Sequence, residues 1–434
     1  MIKVAKVKLW GTIIGYFTLD ESKGFVSFEY EMNFLNSGIE VSPIKMPLSR
    51  KIYEFPELLN TSFKGVPGLI SDSLPDKFGN AIIDRWLASQ GRTSESFNVL
   101  ERLCYTGKRG MGALEYEPDS SGNKDSDEEV SIAKMVDFAS AILDKQKSLS
   151  LTSGDDISYQ QLLKLGTSAG GARAKAIIAY NKKTREFRSG QIDLGEDFEH
   201  WLIKFDGVRK NGDYNHEDEP EYTLIEYSYY LMAKKAGITM SECRLFTEGN
   251  NNHFMTKRFD RDKGEKVHMQ SLGAILHLDY NTPALCSYER AALTAKQIGC
   301  PSNDIEQFFK RMVFNVLAVN QDDHVKNISF LMDRKGNWYL SPAYDVTFAY
   351  DLSNQWLKSH QMSINGKTTK FNKEDLMQCG KSMDIKTSKC SKIIDEVYNI
   401  VKEYEILARS VNIKESTIKL LTNIQKTHHS YFFE

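Results

Sequence analysis

Asn320-Gln-Asp-Asp-His-Val-Lys-Asn327 is followed by Ile328-Ser-Phe-Leu-Met332, Asp333-Arg-Lys-Gly-Asn337, Trp338-Tyr-Leu340 and Tyr344-Asp-Val346. Asp322 and Asn327 stand in the spacing D-x-x-x-x-N of a kinase catalytic loop. Ile328 to Met332 has strand composition, Asp333 to Asn337 is rich in turn formers, and Trp338 to Leu340 reads as the return strand of a hairpin. Asp345 lies just beyond it. Phosphoryl transfer is mostly positioning and charge neutralisation. One carboxylate accepts or orients the hydroxyl proton, while an Asn and a second carboxylate hold Mg²⁺ on the phosphates. Asp322 alone reads equally well as a solvated loop carboxylate or a helix cap. Three polar residues in this order around a hairpin favour the phosphotransferase reading.

Upstream, Ile305 to Val319 carries an apolar stripe of Phe308, Phe309, Met312, Val313, Val316 and Leu317, which predicts a helix leading into the loop. Asn303 with Glu306 resembles a capping box at its start. Gly166-Thr-Ser-Ala-Gly-Gly-Ala-Arg-Ala-Lys175 is rich in small residues that let backbone approach a phosphate; taken alone it reads better as a plain hairpin, and its position one strand before a candidate lysine raises the phosphate reading. It is no Walker loop, because Ala172 occupies the place of that motif's lysine. A strand is expected at Ala176 to Tyr180, then His200-Trp-Leu-Ile-Lys-Phe205, an apolar strand with the single charge Lys204. A kinase uses such a lysine on the α- and β-phosphates; the ordinary alternative is an edge-strand lysine facing water. Glu221 to Lys235 reads as a helix bearing Glu226 and stopped by Gly237. Phe254 to Phe259, ending in Arg258-Phe-Asp-Arg261, reads as the strand at a kinase hinge.

The first thirty residues read as strands at Val4 to Trp10, Ile13 to Leu19 and Gly24 to Tyr30. Asp76 and Lys77 lead into a helix at Phe78 to Leu87. Gly107, Gly110 and Gly112 make turns before a strand at Ala113 to Tyr116. Pro118 to Glu129 is acidic and polar and reads as a linker or loop, and Ile132, Val136, Ala139 and Leu143 continue as a helix begun at Ser131. Beyond the hairpin the pattern is mostly helical, for example Ile393 to Leu407. The expected division is residues 1–117, a β-rich part; 118–130, an acidic linker; 131–260, a kinase N-lobe-like part; and 261–434, a helical C-lobe.

At 434 residues, 41% hydrophobic and 26% charged, the chain has room for a sizeable core. A net charge of −2 supplies no global field toward nucleic acid or membrane. The six cysteines are scattered with no C-x-x-C, which argues against a zinc site or disulfide framework and suits a reducing cytoplasm. No apolar run approaches membrane-span length, and the opening Met1 to Val7 alternates like a strand and lacks a signal-peptide core, so a cytoplasmic protein is expected.

Over almost its whole length the sequence resembles the HipA family, the serine/threonine kinase toxins of bacterial HipBA toxin–antitoxin modules. The resemblance rests on Ser73-Leu-Pro-Asp76, Gly110-Met-Gly-Ala-Leu114, Ser168-Ala-Gly-Gly-Ala-Arg-Ala-Lys175, Leu202-Ile-Lys204, Glu226-Tyr227, Arg258-Phe-Asp-Arg261, Asp322-Asp-His-Val-Lys-Asn327 and Tyr344-Asp-Val346. Arg173-Ala174 stands where many members carry Gln-Glu, and the acidic stretch after Pro118 is expanded. The resemblance implies an α+β, two-lobed kinase-like fold behind an N-terminal β-rich subdomain. It implies ATP and Mg²⁺, a HipB-like helix-turn-helix antitoxin, DNA contact only through that partner, no membrane, and growth arrest or persistence. An aminoacyl-tRNA synthetase is one target class known in the family. By carry-over, Asp322 is the catalytic base, His324 supports the loop and Lys326 faces the transferring phosphate. Asn327 and Asp345 bind Mg²⁺. Gly166, Ser168, Ala169, Gly170, Gly171, Lys175 and Lys204 hold phosphate, and Lys257, Arg258 and Phe259 contact adenine largely through backbone. Ser168 matches the family's autophosphorylated loop serine. Two other readings keep the fold: an inactive co-repressor acting only through its antitoxin, and a small-molecule kinase.

Overall fold

The structure is a computed structural model describing residues 2–120, 129–143, 165–166, 173–190, 195–208 and 221–433. It divides into two compact units, one of residues 1–41, 46–223 and 242–269, the other of 42–45, 224–241 and 270–434. The parts expected as 1–117 and 131–260 therefore fall largely in one unit, and the helix Tyr222–Lys235 lies mainly in the other.

The first unit opens on a meander of β1 (Val4–Leu9), β2 (Thr12–Asp20) and β3 (Phe25–Tyr30), and β4 (Leu114–Glu117) returns against β1 to give the antiparallel order β3-β2-β1-β4. β1 alternates: Ala5, Val7 and Leu9 are buried, while Lys6 and Lys8 lie on the other face. Trp10 and Gly11 both have positive φ, the geometry that joins two twisted strands by a two-residue turn. The helix Lys77–Ser89 is capped by Asp76, which accepts from the Gly79 N–H, and buries Phe78, Ile82, Ile83 and Leu87.

The second sheet of this unit comprises β5 (Lys175–Tyr180), β6 (Phe187–Ser189), β7 (Glu199–Lys204), β8 (Cys243–Glu248) and β9 (Asn251–Lys257) in the order β6-β5-β7-β9-β8. β7 is central, flanked antiparallel by β5 and β9. All six residues of β5 are buried, so its sequence is continuously apolar except at Lys175. The short ribbon of β10 (Arg261–Asp262) and β11 (Glu265–Lys266) precedes β12 (His268–Ser271), on which the chain passes into the second unit.

The second unit is helical around one hairpin, β13 (Ser329–Met332) and β14 (Trp338–Leu340), closed by the Asp333 to Asn337 turn as expected. The helix Ser302–Ala318 buries its predicted stripe. Its predicted capping box is absent: the helix begins one residue before Asn303, behind Pro301, with no side-chain cap, and Glu306 pairs with Lys389. Capping boxes form instead at Asn98 with Glu101 and at Asn372 with Asp375. The helix expected through Ile393 to Leu407 is broken into Thr387–Val401 and Tyr404–Ser410. All six cysteines are free and buried, and among the described residues no helix is long and apolar enough to cross a membrane.

Candidate active site

The loop begins where the long helix ends. Val319 adopts φ 60°, which turns the chain out of the helix. The segment then runs extended beside residue 349: Asn320 bridges Ala349 in parallel, and the Gln321 N–H donates to the Ala349 carbonyl at 2.9 Å. Successive residues of an extended segment point to opposite sides. Asp322 accordingly stays 40% exposed at its side chain while Asp323 is buried.

Two bonds close the loop. The Asn327 N–H donates to the His324 carbonyl at 2.9 Å, and Asn327 Nδ2 donates to the backbone carbonyl of Asp322 at 2.8 Å. The five-residue spacing is thus the span over which the Asn327 amide reaches back to the carbonyl of Asp322. Using Nδ2 this way turns Oδ1 away from the loop. Tyr344 then joins the next segment to it, its hydroxyl donating to the Lys326 carbonyl at 2.6 Å. Its neighbour Asp345 sits at φ 53°, a backbone conformation most side chains avoid. Asn327 and Asp345 line one cavity of about 30 Å³, together with Asn320, Asp323 and Tyr344. Phe308, Phe314, Ile328 and Val346 make most of that lining apolar, and Arg311 borders it too; the Asn327 amide oxygen and the Asp345 carboxylate are the donor types there that suit Mg²⁺, a hard ion that takes few protein oxygens and fills its octahedron with phosphate and water.

His324 Nε2 lies 3.8 Å from Asp322 Oδ1. The Tyr280 ring gathers two neighbours, the His324 ring at 5.5 Å and Lys326 Nζ at 5.2 Å. The predicted set Asp322, His324, Lys326, Asn327 and Asp345 is therefore assembled within the second unit.

In the first unit, Lys204 is buried on the central strand, which rules out the edge-strand alternative. Its cross-strand neighbours are Lys175 on β5 and Phe254 on β9, so two lysines share one sheet face. Lys175 Nζ lies 3.3 Å from Asp76 Oδ2, and both side chains are buried. Asp76 thus caps a helix through one oxygen and balances Lys175 through the other.

The remaining nucleotide residues divide. Ser168, Ala169, Gly170 and Gly171 lie outside the described residues. Gly166 has a packing reason to be glycine, since a Cβ there would come within 2.6 Å of Ile82 Cδ1. The Lys257 and Arg258 N–H groups donate to the carbonyls of Glu242 and His200 at 2.8 and 2.9 Å, so neither is available to an adenine ring. Lys257 Nζ pairs with Glu199 at 2.6 Å. The Arg258 guanidinium is buried and forks onto Asp260 at 2.9 and 2.6 Å. Arg261 completes that cluster at 2.9 Å, both arginines donate to the Gly110 carbonyl, and the Gly112 N–H donates to Asp260. Burial alone would raise the Asp260 carboxyl, but Arg258 and Arg261 overcome it and hold the group well below the usual carboxylate range. Arg258 is a structural staple. Burial, then the same two arginines, push His200 down to about 4.

A solved structure from Shewanella oneidensis MR-1, a toxin–antitoxin complex of HipA, HipB and operator DNA, is similar over 98% of this chain and 96% of that one, with TM-score 0.68 and 16% identity. A weaker likeness, TM-score 0.32 at 16% identity, covers 53% of this chain and 94% of the Helicobacter pylori proinflammatory kinase CtkA. The fold is α+β, two-lobed and protein-kinase-like. The HipA-like C-terminal domain family matches residues 167–404 and the HipA N-terminal domain family matches residues 5–117. The chain belongs to the HipA family. A Haemophilus influenzae protein with a provisional kinase designation is 29% identical over 161 residues, 32% of this chain; the match spans 46% of that protein's length.

Sequence reading passed over Asp323, whose carboxylate accepts from Tyr288, His360 and Gln361. The doubled Asp322-Asp323 was the available signal.

Proposed function

We propose that this chain is an ATP-dependent serine/threonine protein kinase and the toxin of a type II toxin–antitoxin module. The observation that carries the proposal is the loop in which Asn327 binds the carbonyl of Asp322 while sharing a cavity with Asp345. Asp322, half-exposed, accepts the proton of the attacking hydroxyl. Asn327 and Asp345 would hold Mg²⁺, which when bound would supply charge neutralisation on the phosphates. Lys204 is the buried cation of the first unit suited to nucleotide phosphates, and Lys326 faces the group being transferred. Membership of the HipA family supports a HipB-like helix-turn-helix antitoxin and a cytoplasmic protein substrate such as an aminoacyl-tRNA synthetase. DNA would be met only through the antitoxin, because the near-neutral chain offers it no global positive field. Autophosphorylation of Ser168 would add about −1.5 to −2 charge to the loop meant for phosphates and so lower ATP affinity.

The test is incubation with radiolabelled ATP, Mg²⁺ and a cell lysate. A labelled protein is expected from the native chain. Asp322→Asn and Asp345→Asn should each cut transfer by about 10²–10⁴-fold with the fold intact. Asp345→Asn should also weaken Mg·ATP binding, whereas Asp322→Asn should largely spare it. Label confined to small molecules would indicate a small-molecule kinase. No label at all, with the antitoxin still captured, would indicate a co-repressor. Normal turnover in either variant would overturn the site.

A further inference from the structure

We infer that Asp323 is a positioning residue for the phosphotransfer loop, acting through a buried hydrogen-bond chain that runs from His360 to Asn320; this rests on the kinase reading above. Asp323 is 2% exposed, and its carboxylate makes contacts that none of the roles assigned to the loop uses. Oδ2 accepts from the Tyr288 hydroxyl and from His360 Nδ1, each at 2.8 Å, and Oδ1 accepts from the Gln361 N–H at 2.7 Å. The chain continues beyond Tyr288. Asn315 Nδ2 donates to the Tyr288 hydroxyl at 3.0 Å, and Asn320 Nδ2 donates to Asn315 Oδ1 at 3.0 Å. One network therefore grips the entering segment at both Asn320 and Asp323. Its anchors are the helices Tyr288–Gln297 and Ser302–Ala318 and the segment at residues 360 and 361.

The consequence for Asp322 is geometric. Holding the Asp323 carboxylate inward restrains the backbone it shares with Asp322, whose own side chain stays 40% exposed. It also fixes the Asp322 carbonyl, the acceptor that Asn327 Nδ2 uses to close the loop. Asp323 touches neither substrate nor nucleotide in this account. It sets the direction of the base and, through that carbonyl, the amide that holds the ion. The Phe371 ring, 5.2 Å from His360 and edge-on to it, keeps the imidazole in place.

Asn replaces the carboxylate only by rearranging the hydrogen-bond chain: with its oxygen on the Gln361 N–H, its –NH₂ requires the Tyr288 hydroxyl to turn and His360 Nδ1 to become an acceptor. Asp323→Asn and Tyr288→Phe are the test variants; the second removes one hydroxyl and nothing else. Hydrogen exchange is read over residues 320–327 and over the helix Ser302–Ala318, and kcat and KM for ATP are measured on the labelled protein substrate. Both variants should speed exchange in the loop by about tenfold while the helix keeps its protection. Both should lower kcat by about 10–100-fold with KM for ATP within about twofold of native, the signature of a misplaced base rather than lost nucleotide binding. Unchanged loop exchange in both variants would overturn the inference, and so would native kcat on a loosened loop. Should the native chain transfer no phosphate at all, the kinase reading fails and the exchange measurement alone decides the network. Should Asp323→Asn not fold, Tyr288→Phe carries the test.

Discussion

Asp260 in the first unit and Asp323 in the second are both buried carboxylates, and they are held in opposite ways. Asp260 is neutralised by two guanidiniums, Arg258 and Arg261, and the three together clamp the Gly110 to Gly112 turn. Asp323 accepts from a phenol, a backbone amide and an imidazole, with no Lys or Arg among its donors. The difference follows from what sits next door. A staple between chain segments gains from the strongest pairing available, because nothing nearby has to titrate or react. The loop beside Asp323 already carries Lys326, and Arg311 borders the cavity of Asn327 and Asp345, so a further permanent cation would add positive charge next to Asp322 and depress its proton affinity. Uncharged donors and a histidine orient the loop at less electrostatic cost.

The comparison can be broken most directly at the charged pole. Arg258→Met should destabilise the first unit by about 3–5 kcal/mol, because it leaves Asp260 buried and half-compensated. Removing one neutral donor by Tyr288→Phe should cost only about 1–3 kcal/mol. Urea unfolding of the two variants checks the ranking, and equal losses would mean that the two carboxylates are held alike.

Acid titration sharpens it further. Burial pushes His200 and His268 in the first unit down to about 4, and in the second unit His277 to about 3 and His428 to about 4. Each binds its proton more readily unfolded, near pH 6.5, than folded. Their contribution to stability is complete above about pH 6.5 and is lost as pH falls toward the folded values, at up to about 1.4 kcal/mol per pH unit per group. Asp260, whose pKa is depressed, contributes stability above the unfolded carboxylate value and loses it only at lower pH. Urea midpoints should therefore fall in two stages, histidines first. A midpoint flat from pH 7 to 4.5 would contradict the buried neutral histidines.

The smallest effect concerns a third buried carboxylate, Asp375, which pairs with Lys367 and closes a capping box with Asn372. Asn372→Ala should cost about 1 kcal/mol, a normal N-cap. Asn303→Ala, at the position that resembles a box but forms none, should stay within about 0.5 kcal/mol. Thermal unfolding of both would show whether the assignments are reversed.

Much of the loop was legible because its logic is local. Asn327 reaches Asp322 across five residues, and the hairpin turn closes within Asp333 to Asn337. The Asp323 network was not legible, because its partners lie 35, 37 and 38 residues away and only folding brings them in. Arg258 shows the same limit in reverse. Its motif suggests adenine contact largely through backbone, and only folding shows that its side chain is committed to Asp260 two residues on and to Gly110, which is 148 residues away.

By itself the sequence determined the alternating strands, the long helix, the order of Asp322, Asn327 and Asp345, and membership of a family. Each is written in spacings of a few residues, where backbone geometry dictates what can meet. Tertiary structure alone decided that Lys204 occupies a central strand beside Lys175, that Asp76 balances Lys175, and that Asp323 is buried while its neighbour Asp322 stays exposed. The physical reason is that burial and charge compensation depend on which distant groups arrive at the same place. A buried carboxylate or ammonium is tolerable only where those groups supply its partners.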